Sequence, residues 1–180
     1  MNWMEGLGPL LQQYSTSQSA QPPANVEEHF DKVTQSAPAS EVAEGLAAAF
    51  RSGQTPPFSQ MASQLFGSSN GEQQAGVLNA LFGAVGPGLL NQIATGRGGS
   101  LLGASALGSL FGGDKDITAE QASKVSPEIV KQLAEHAEKT DPSIVDRLSQ
   151  IYSEHPGLIK TLGGAALTIA LAKVAQRQRG

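Results

Sequence analysis

The sequence predicts an all-α protein, an irregular array of about seven or eight short helices around a Gly-rich middle segment. Two observations predict it. Apolar residues recur at helical spacing in one short segment after another, and no window keeps the strict apolar and polar alternation of a strand. The segments are also punctuated by Pro, Gly and small polar residues where helices start and stop.

The N-terminal stretch of residues 1–24 has an apolar start that Pro9 interrupts, and Tyr14–Ala24 (YSTSQSAQPPA) has linker composition. Asn25 with Glu28 three residues on predicts a capping box, and Val26, Phe30 and Val33 form the apolar stripe of the helix that follows. Pro38 opens a second helix with Val42, Leu46, Ala49 and Phe50 on one face, closed by Gly53. Thr55 is expected to cap a third, with Pro56 at its first position, Phe58, Met61, Ala62 and Leu65 on its stripe and Gly67 at its end. A turn over Ser68–Gly71 leads into a fourth, from about Glu72 to Gly83. Its apolar positions cover much of its circumference, so it is expected to be central.

Between Gly83 and Gly113 ten residues are Gly and one, Arg97, is charged. This composition sets the segment apart as a boundary region. Within it Ser100, Ala104, Gly108 and Gly112 recur every four residues. A helix there would carry one ridge of small residues, with Leu107, Leu110 and Phe111 elsewhere on its surface. Beyond it Thr118 with Gln121 repeats the capping-box pattern. Ser126-Pro127, Asp141-Pro142 and His155-Pro156 then mark three helix starts at similar spacing. These helices are expected to bury Ile129, Val130, Leu133 and Ala137, then Ile144, Val145, Leu148, Ile151 and Tyr152, then the apolar run from Leu158 to Val174. The chain is thereby divided into segments 1–24, 25–86, 87–116 and 117–180.

Composition narrows the function. Twelve Lys and Arg against 16 Asp and Glu leave a net charge of −4, and aromatic residues are only 5% of the chain. Neither a phosphate-tracking surface nor a stacking platform is provided, so nucleic acid is not an expected partner. Without Cys there is no disulfide, thiol nucleophile, zinc ribbon or iron–sulfur cluster. No signal peptide is read at the N-terminus, and the uncharged spans are too broken or too short for an ordinary transmembrane helix, which needs about 20 apolar residues.

The chemistry-bearing residues form no familiar constellation. His29, His136 and His155 each sit beside a Glu, but no HExxH, HxH or paired ExxH is present, and capping or exposed histidines are the simpler reading. A metal or small-ligand site would require all three to converge. GxSxG is absent, and Gly96-Arg97-Gly98-Gly99-Ser100 lacks the Lys-Ser/Thr of a phosphate loop. No catalytic residue, cofactor or metal is expected.

The C-terminal helix is more informative. Lys160, Lys173, Arg177 and Arg179 flank an apolar run holding Leu167, Ile169 and Leu171, with no acidic residue after Glu154. A buried helix whose basic end complements its own dipole is one reading, and attachment to an anionic membrane surface or another subunit is the other.

The stretches Asn25–Gly86 and His155–Gln176 (HPGLIKTLGGAALTIALAKVAQ) resemble a recurring type of uncharacterised bacterial protein. Over Leu78–Ile151, short helices around a Gly-rich middle are loosely similar to the YidB-like family. That resemblance implies a helical fold and a bacterial source, and it carries over no catalytic residue.

The resulting expectation is a non-enzymatic structural or interaction protein that forms homo-oligomers. Ser100, Ala104, Leu107, Gly108, Leu110, Phe111 and Gly112 are its self-association candidates, and the C-terminal helix is a second contact surface. The alternative is a peripheral membrane protein, cytoplasmic at the inner face of the membrane, held through Lys160, Leu167, Ile169, Leu171, Lys173, Arg177 and Arg179.

Overall fold

The computed structural model describes residues 3–16, 22–86 and 116–177. It is all-helical, with no strand among these residues. The helices are α1 (Trp3–Thr16), α2 (Val26–Ser36), α3 (Ala39–Phe50), α4 (Phe58–Ser68), α5 (Gly71–Val85), α6 (Ala119–Ala122), α7 (Pro127–Thr140), α8 (Ile144–Ser153), α9 (Pro156–Ile159) and α10 (Gly164–Arg177), with a 3-10 turn at Lys160–Leu162. They group into two compact units. Unit 1 takes the described residues up to Pro57 and those from Ser149 onward, and unit 2 takes the described residues of Phe58–Leu148, so the division falls inside α8. The segments read from composition and these contact-based units are different partitions of the chain.

Unit 1 is built around α10, which packs against α1, α2 and α3. Its buried residues Ala166, Leu167, Ala170, Leu171, Val174 and Ala175 occupy one broad face. They meet the predicted stripes of α2 (Val26, Phe30, Val33) and α3 (Val42, Leu46, Ala49, Phe50), all buried. The α3–α10 contact is a close backbone approach. A Cβ at Gly45 would lie 2.7 Å from the Ala170 carbonyl oxygen and 3.2 Å from Val174 Cγ2, so the contact exists because Gly45 has no side chain. Gly164, at the start of α10, is as tightly held: its Cβ would be 2.8 Å from Pro22.

Unit 2 packs α7 against α4 and α5, with α6 on α5. Its interior holds Phe58, Met61, Leu65, Phe66, Leu78 and Leu133, all nearly inaccessible. Both of its capping boxes are complete. Asn70 accepts from the Gln73 amide while the Gln73 side chain accepts from the Asn70 amide, and Thr118 and Gln121 repeat the arrangement. Asn79 ties the chain to α5 where it re-enters: Oδ1 accepts from the Ile117 amide at 2.8 Å, and Nδ2 donates to the Ile117 carbonyl at 3.4 Å.

The structure corrects several expectations. Pro9 does not interrupt α1, which runs through it. A proline there leaves the Glu5 carbonyl without its helical donor, and the buried Leu7, Leu11 and Tyr14 offset that loss. Tyr14 is therefore part of a docked helix and not linker.

Asn25 forms no cap bond; its Nδ2 lies 3.0 Å from His29 Nε2 instead. Thr55 caps nothing: its hydroxyl donates back to the Ala49 and Ser52 carbonyls, and α4 starts at Phe58. Gly67 lies within α4, and Gly53 lies beyond an α3 that already ends at Phe50. Asp141 is an Asx turn in place of a helix cap, accepting from the Ser143 amide at 3.1 Å and from its hydroxyl at 2.6 Å, so α8 begins at Ile144. Ile151 is only half-buried.

The apolar run Leu158–Val174 is not one helix. Gly163 adopts φ +91°, a left-handed conformation that L side chains resist, and splits it into α9, the 3-10 turn and α10.

Candidate functional site

The contact candidates of the C-terminal helix can be placed one by one. Leu167 and Leu171 point into unit 1 and have no accessible surface. Ile169 and Ala172 are half-buried on the opposite side of α10, and Ala165 and Lys173 are exposed there. No charged residue occurs between Lys160 and Lys173, so this outward strip is uncharged for about two turns.

Two of the basic residues turn back onto the unit. Lys160 Nζ is 3.1 Å from Asp31 Oδ2 on α2. Arg177 pairs with Glu44, and its Nε lies 3.6 Å from Glu41 Oε1, so the end of α10 is clamped to the first half of α3. The second oxygen of Glu41 is buried without a hydrogen-bond partner among the described residues. Arg177 at the last turn of α10 also sits where the helix dipole favours a positive charge. Arg179 lies outside the described residues, as do Ser100, Ala104, Leu107, Gly108, Leu110, Phe111 and Gly112.

The histidines do different things. His29 is engaged at both ring nitrogens: Nδ1 is 2.7 Å from the Tyr14 hydroxyl, Nε2 is 3.0 Å from Asn25 Nδ2, and the Tyr14 ring meets the imidazole edge-on at 5.7 Å. With the Asn25 amide donating to Nε2, the Nδ1 proton is directed at the tyrosine oxygen. The cluster locks α1 to α2, and burial pushes the Tyr14 hydroxyl above its ordinary pKa. His136 is exposed on α7, and His155 precedes α9 without a side-chain cap bond. Among the described residues no three His, Asp or Glu side chains gather where they could hold a metal ion.

On unit 2 two carboxylates are held below their ordinary pKa. Lys139 bonds Glu135 at 2.9 Å, and the hydroxyl and amide of Ser143 bond Asp141. Both are exposed features of helix surface and turn, with no cleft chemistry implied.

Sequence reading missed the small-residue contact that the structure does describe, Gly45 against Ala170 and Val174. The signal was present in the run Ala43–Ala49, where Gly45 and four Ala residues make α3 thin, but four-residue periodicity drew attention to Ser100–Gly112 instead. It also missed the Tyr14–His29 pair, whose members stand 15 positions apart.

Among the described residues no helix is long and apolar enough to cross a membrane. No family model matches the chain, and no match was found among curated proteins or among solved structures.

Proposed function

We propose that this chain is a non-enzymatic helical protein that associates with copies of itself, with the outward strip of α10 as one contact surface. The observation that carries the reading is the uncharged strip Ala165, Ile169 and Ala172. The solvent side of a helix in a globular protein ordinarily carries charged residues, and this one presents Ala165, Ile169 and Ala172 with Thr168 and Gln176, beside a single lysine. The four-residue recurrence of Ser100, Ala104, Gly108 and Gly112 supports the same reading from sequence, since such ridges let helices approach closely.

The alternative, a peripheral membrane role at the inner face of the membrane, has less support. Its leucine anchors, Leu167 and Leu171, are inside unit 1, and Lys160 and Arg177 already have carboxylate partners.

Absolute mass by light scattering across a dilution series tests the proposal. A multiple of 18.6 kDa is expected, reduced by the double variant Ala165→Glu, Ile169→Glu. A mass fixed at 18.6 kDa at every concentration would overturn it. Pelleting with anionic but not neutral vesicles, weakened by salt and by Lys173→Glu, would put the membrane reading in its place.

A further inference from the structure

The chain holds one Asn-Gly dipeptide, Asn70-Gly71, at the start of α5. Asn-Gly is the most reactive setting for loss of a side-chain amide, because a glycine after the asparagine leaves the attacking nitrogen unhindered. Here the glycine also sits in a close approach. A Cβ at Gly71 would lie 3.1 Å from the Ala119 carbonyl oxygen and 3.2 Å from Ala119 Cβ, so a larger residue would need α6 to give by a few tenths of an ångström. Packing thereby favours the residue that makes the dipeptide reactive. Asn70 itself is exposed to water.

We infer that Asn70 is a deamidation site whose reactivity is gated by its capping box. The reaction needs the Gly71 amide nitrogen to reach Asn70 Cγ. A bond forms between them, the Cγ–Nδ2 bond breaks, and Nδ2 departs as ammonia with the proton released from Gly71. Water then opens the resulting five-membered imide at either carbonyl, giving aspartate or isoaspartate, with no change of oxidation state.

In the folded chain two bonds oppose this. Asn70 Oδ1 is held by the Gln73 amide at 3.0 Å, and the Asn70 amide is held by Gln73 Oε1 at 2.9 Å. Together they keep the side chain directed along α5 and the backbone at ψ 171°. Ring closure requires rotation about the Asn70 Cα–C bond, hence release of the cap. The first turn of a helix is where such local opening is least costly.

The two products differ in consequence. Aspartate keeps the cap and places a negative charge at the positive end of α5, where it is favoured. Isoaspartate lengthens the main chain by one methylene, displacing both the carbonyl that accepts from the Gln74 amide at 2.9 Å and the register of Gly71 against Ala119. The site therefore separates a harmless ageing product from one that loosens α6.

The test follows conversion at Asn70 by peptide mass mapping of the full chain in mildly alkaline buffer, folded and in urea, with Asn25 and Asn79 as internal references. Conversion at Asn70 is expected to be about tenfold slower in the folded chain than in urea. Gln73→Ala, which removes one of the two restraining bonds at a surface position, is expected to speed folded-state conversion about fivefold while leaving the urea rate unchanged. Asn70→Asp supplies the mass standard for the aspartate product. Equal rates in folded wild type and Gln73→Ala, equal rates folded and in urea, or references converting as fast as Asn70 in urea would each overturn the inference.

Discussion

Unit 1 and unit 2 solve the same problem, packing short helices from a sequence poor in aromatic residues, with different emphasis. Unit 2 fills its interior with Phe58, Phe66, Met61 and branched aliphatics, and pins its helix starts with capping boxes whose members stand three residues apart. Unit 1 buries Tyr14, Phe30, Phe50 and Tyr152 and also brings backbones together. Its central helix touches α3 where Gly45 has no side chain, and its polar ties join residues far apart in sequence, Asp31 to Lys160 and Glu41 and Glu44 to Arg177. Unit 2 adds capping boxes to its packing and unit 1 adds long-range ion pairs. Each has a close backbone approach, the tighter at Gly45 against Ala170 and the looser at Gly71 against Ala119.

That contrast is broken most directly at two glycines. Gly45→Ala in unit 1 places a methyl 2.7 Å from a backbone carbonyl oxygen, and overpacking of this kind costs about 2–3 kcal/mol. Gly67→Ala in unit 2 meets only Pro127 Cγ at an ordinary 3.5 Å and removes a glycine from the last turn of α4, a gain of about 0.5 kcal/mol. Urea denaturation of the two single variants should therefore move in opposite directions. Two shifts of the same sign would mean that the α3–α10 approach is not the constraint described here.

Next in size is Asn79. Ile117 is 6% exposed, so its backbone amide has little access to water once the Asn79 acceptor is gone. Asn79→Ala is expected to cost about 2 kcal/mol, the penalty for stranding a buried donor. Asn79→Asp keeps that acceptor but loses the donor to the Ile117 carbonyl, and should fall between. Hydrogen exchange at the Ile117 amide reads the same bond locally. Exchange unchanged in Asn79→Ala would show that the tie is replaceable.

The Tyr14–His29 lock gives a smaller effect with a distinctive pH dependence. Tyr14→Phe should destabilise unit 1 by about 1 kcal/mol at neutral pH through the lost hydrogen bond. Burial raises the folded-state pKa of Tyr14, so its contribution is fully present below the unfolded pKa of about 10 and disappears as pH rises through the folded value. The gap between wild type and Tyr14→Phe should then narrow in strongly alkaline solution. A gap constant up to the alkaline limit would show that the phenol is not held neutral by the fold.

The same division governs what could be read without coordinates. Helix existence and the apolar stripes of α2, α3, α4 and α7 were legible because they depend on spacing within one turn or two. So was the cap at Thr118. The cap at Asn25 was misread because its side chain has a competing partner in His29, one turn on, and local pattern cannot rank the two. The break at Gly163 was not read from the C-terminal run, whose apolar residues continue past it. Gly163 takes a positive φ, and Gly164 has no room for a side chain beside Pro22, 142 positions away, which no local pattern shows. Of the contact candidates, Leu167 and Ile169 looked equivalent by hydropathy, and only the positions of α1, α2 and α3 around α10 make one interior and the other outward.

The smallest expected effects lie in the ion pairs, and they carry the comparison to the surface. Lys160–Asp31 joins α2 to the 3-10 turn that precedes α10 across 129 positions, with both side chains partly exposed. A double-mutant cycle with Lys160→Met and Asp31→Asn should give a coupling of about 0.5 kcal/mol, shrinking as salt is added, because exposed pairs are screened and lose side-chain freedom when they form. Glu135–Lys139 in unit 2 is an i,i+4 pair on one exposed helix face, written in the sequence before any folding. Lys139 lowers the Glu135 pKa, chiefly through their hydrogen bond, so whatever that pair contributes is present above the unfolded pKa and lost as pH falls through the folded one. Lys139→Met should return the Glu135 titration, followed by NMR, toward its ordinary value without disturbing α7. Lys160→Met should instead loosen the junction between α2 and the start of α10, read as faster hydrogen exchange in the first turn of α10. If both substitutions proved equally local, the long-range pair would be no more than a surface contact.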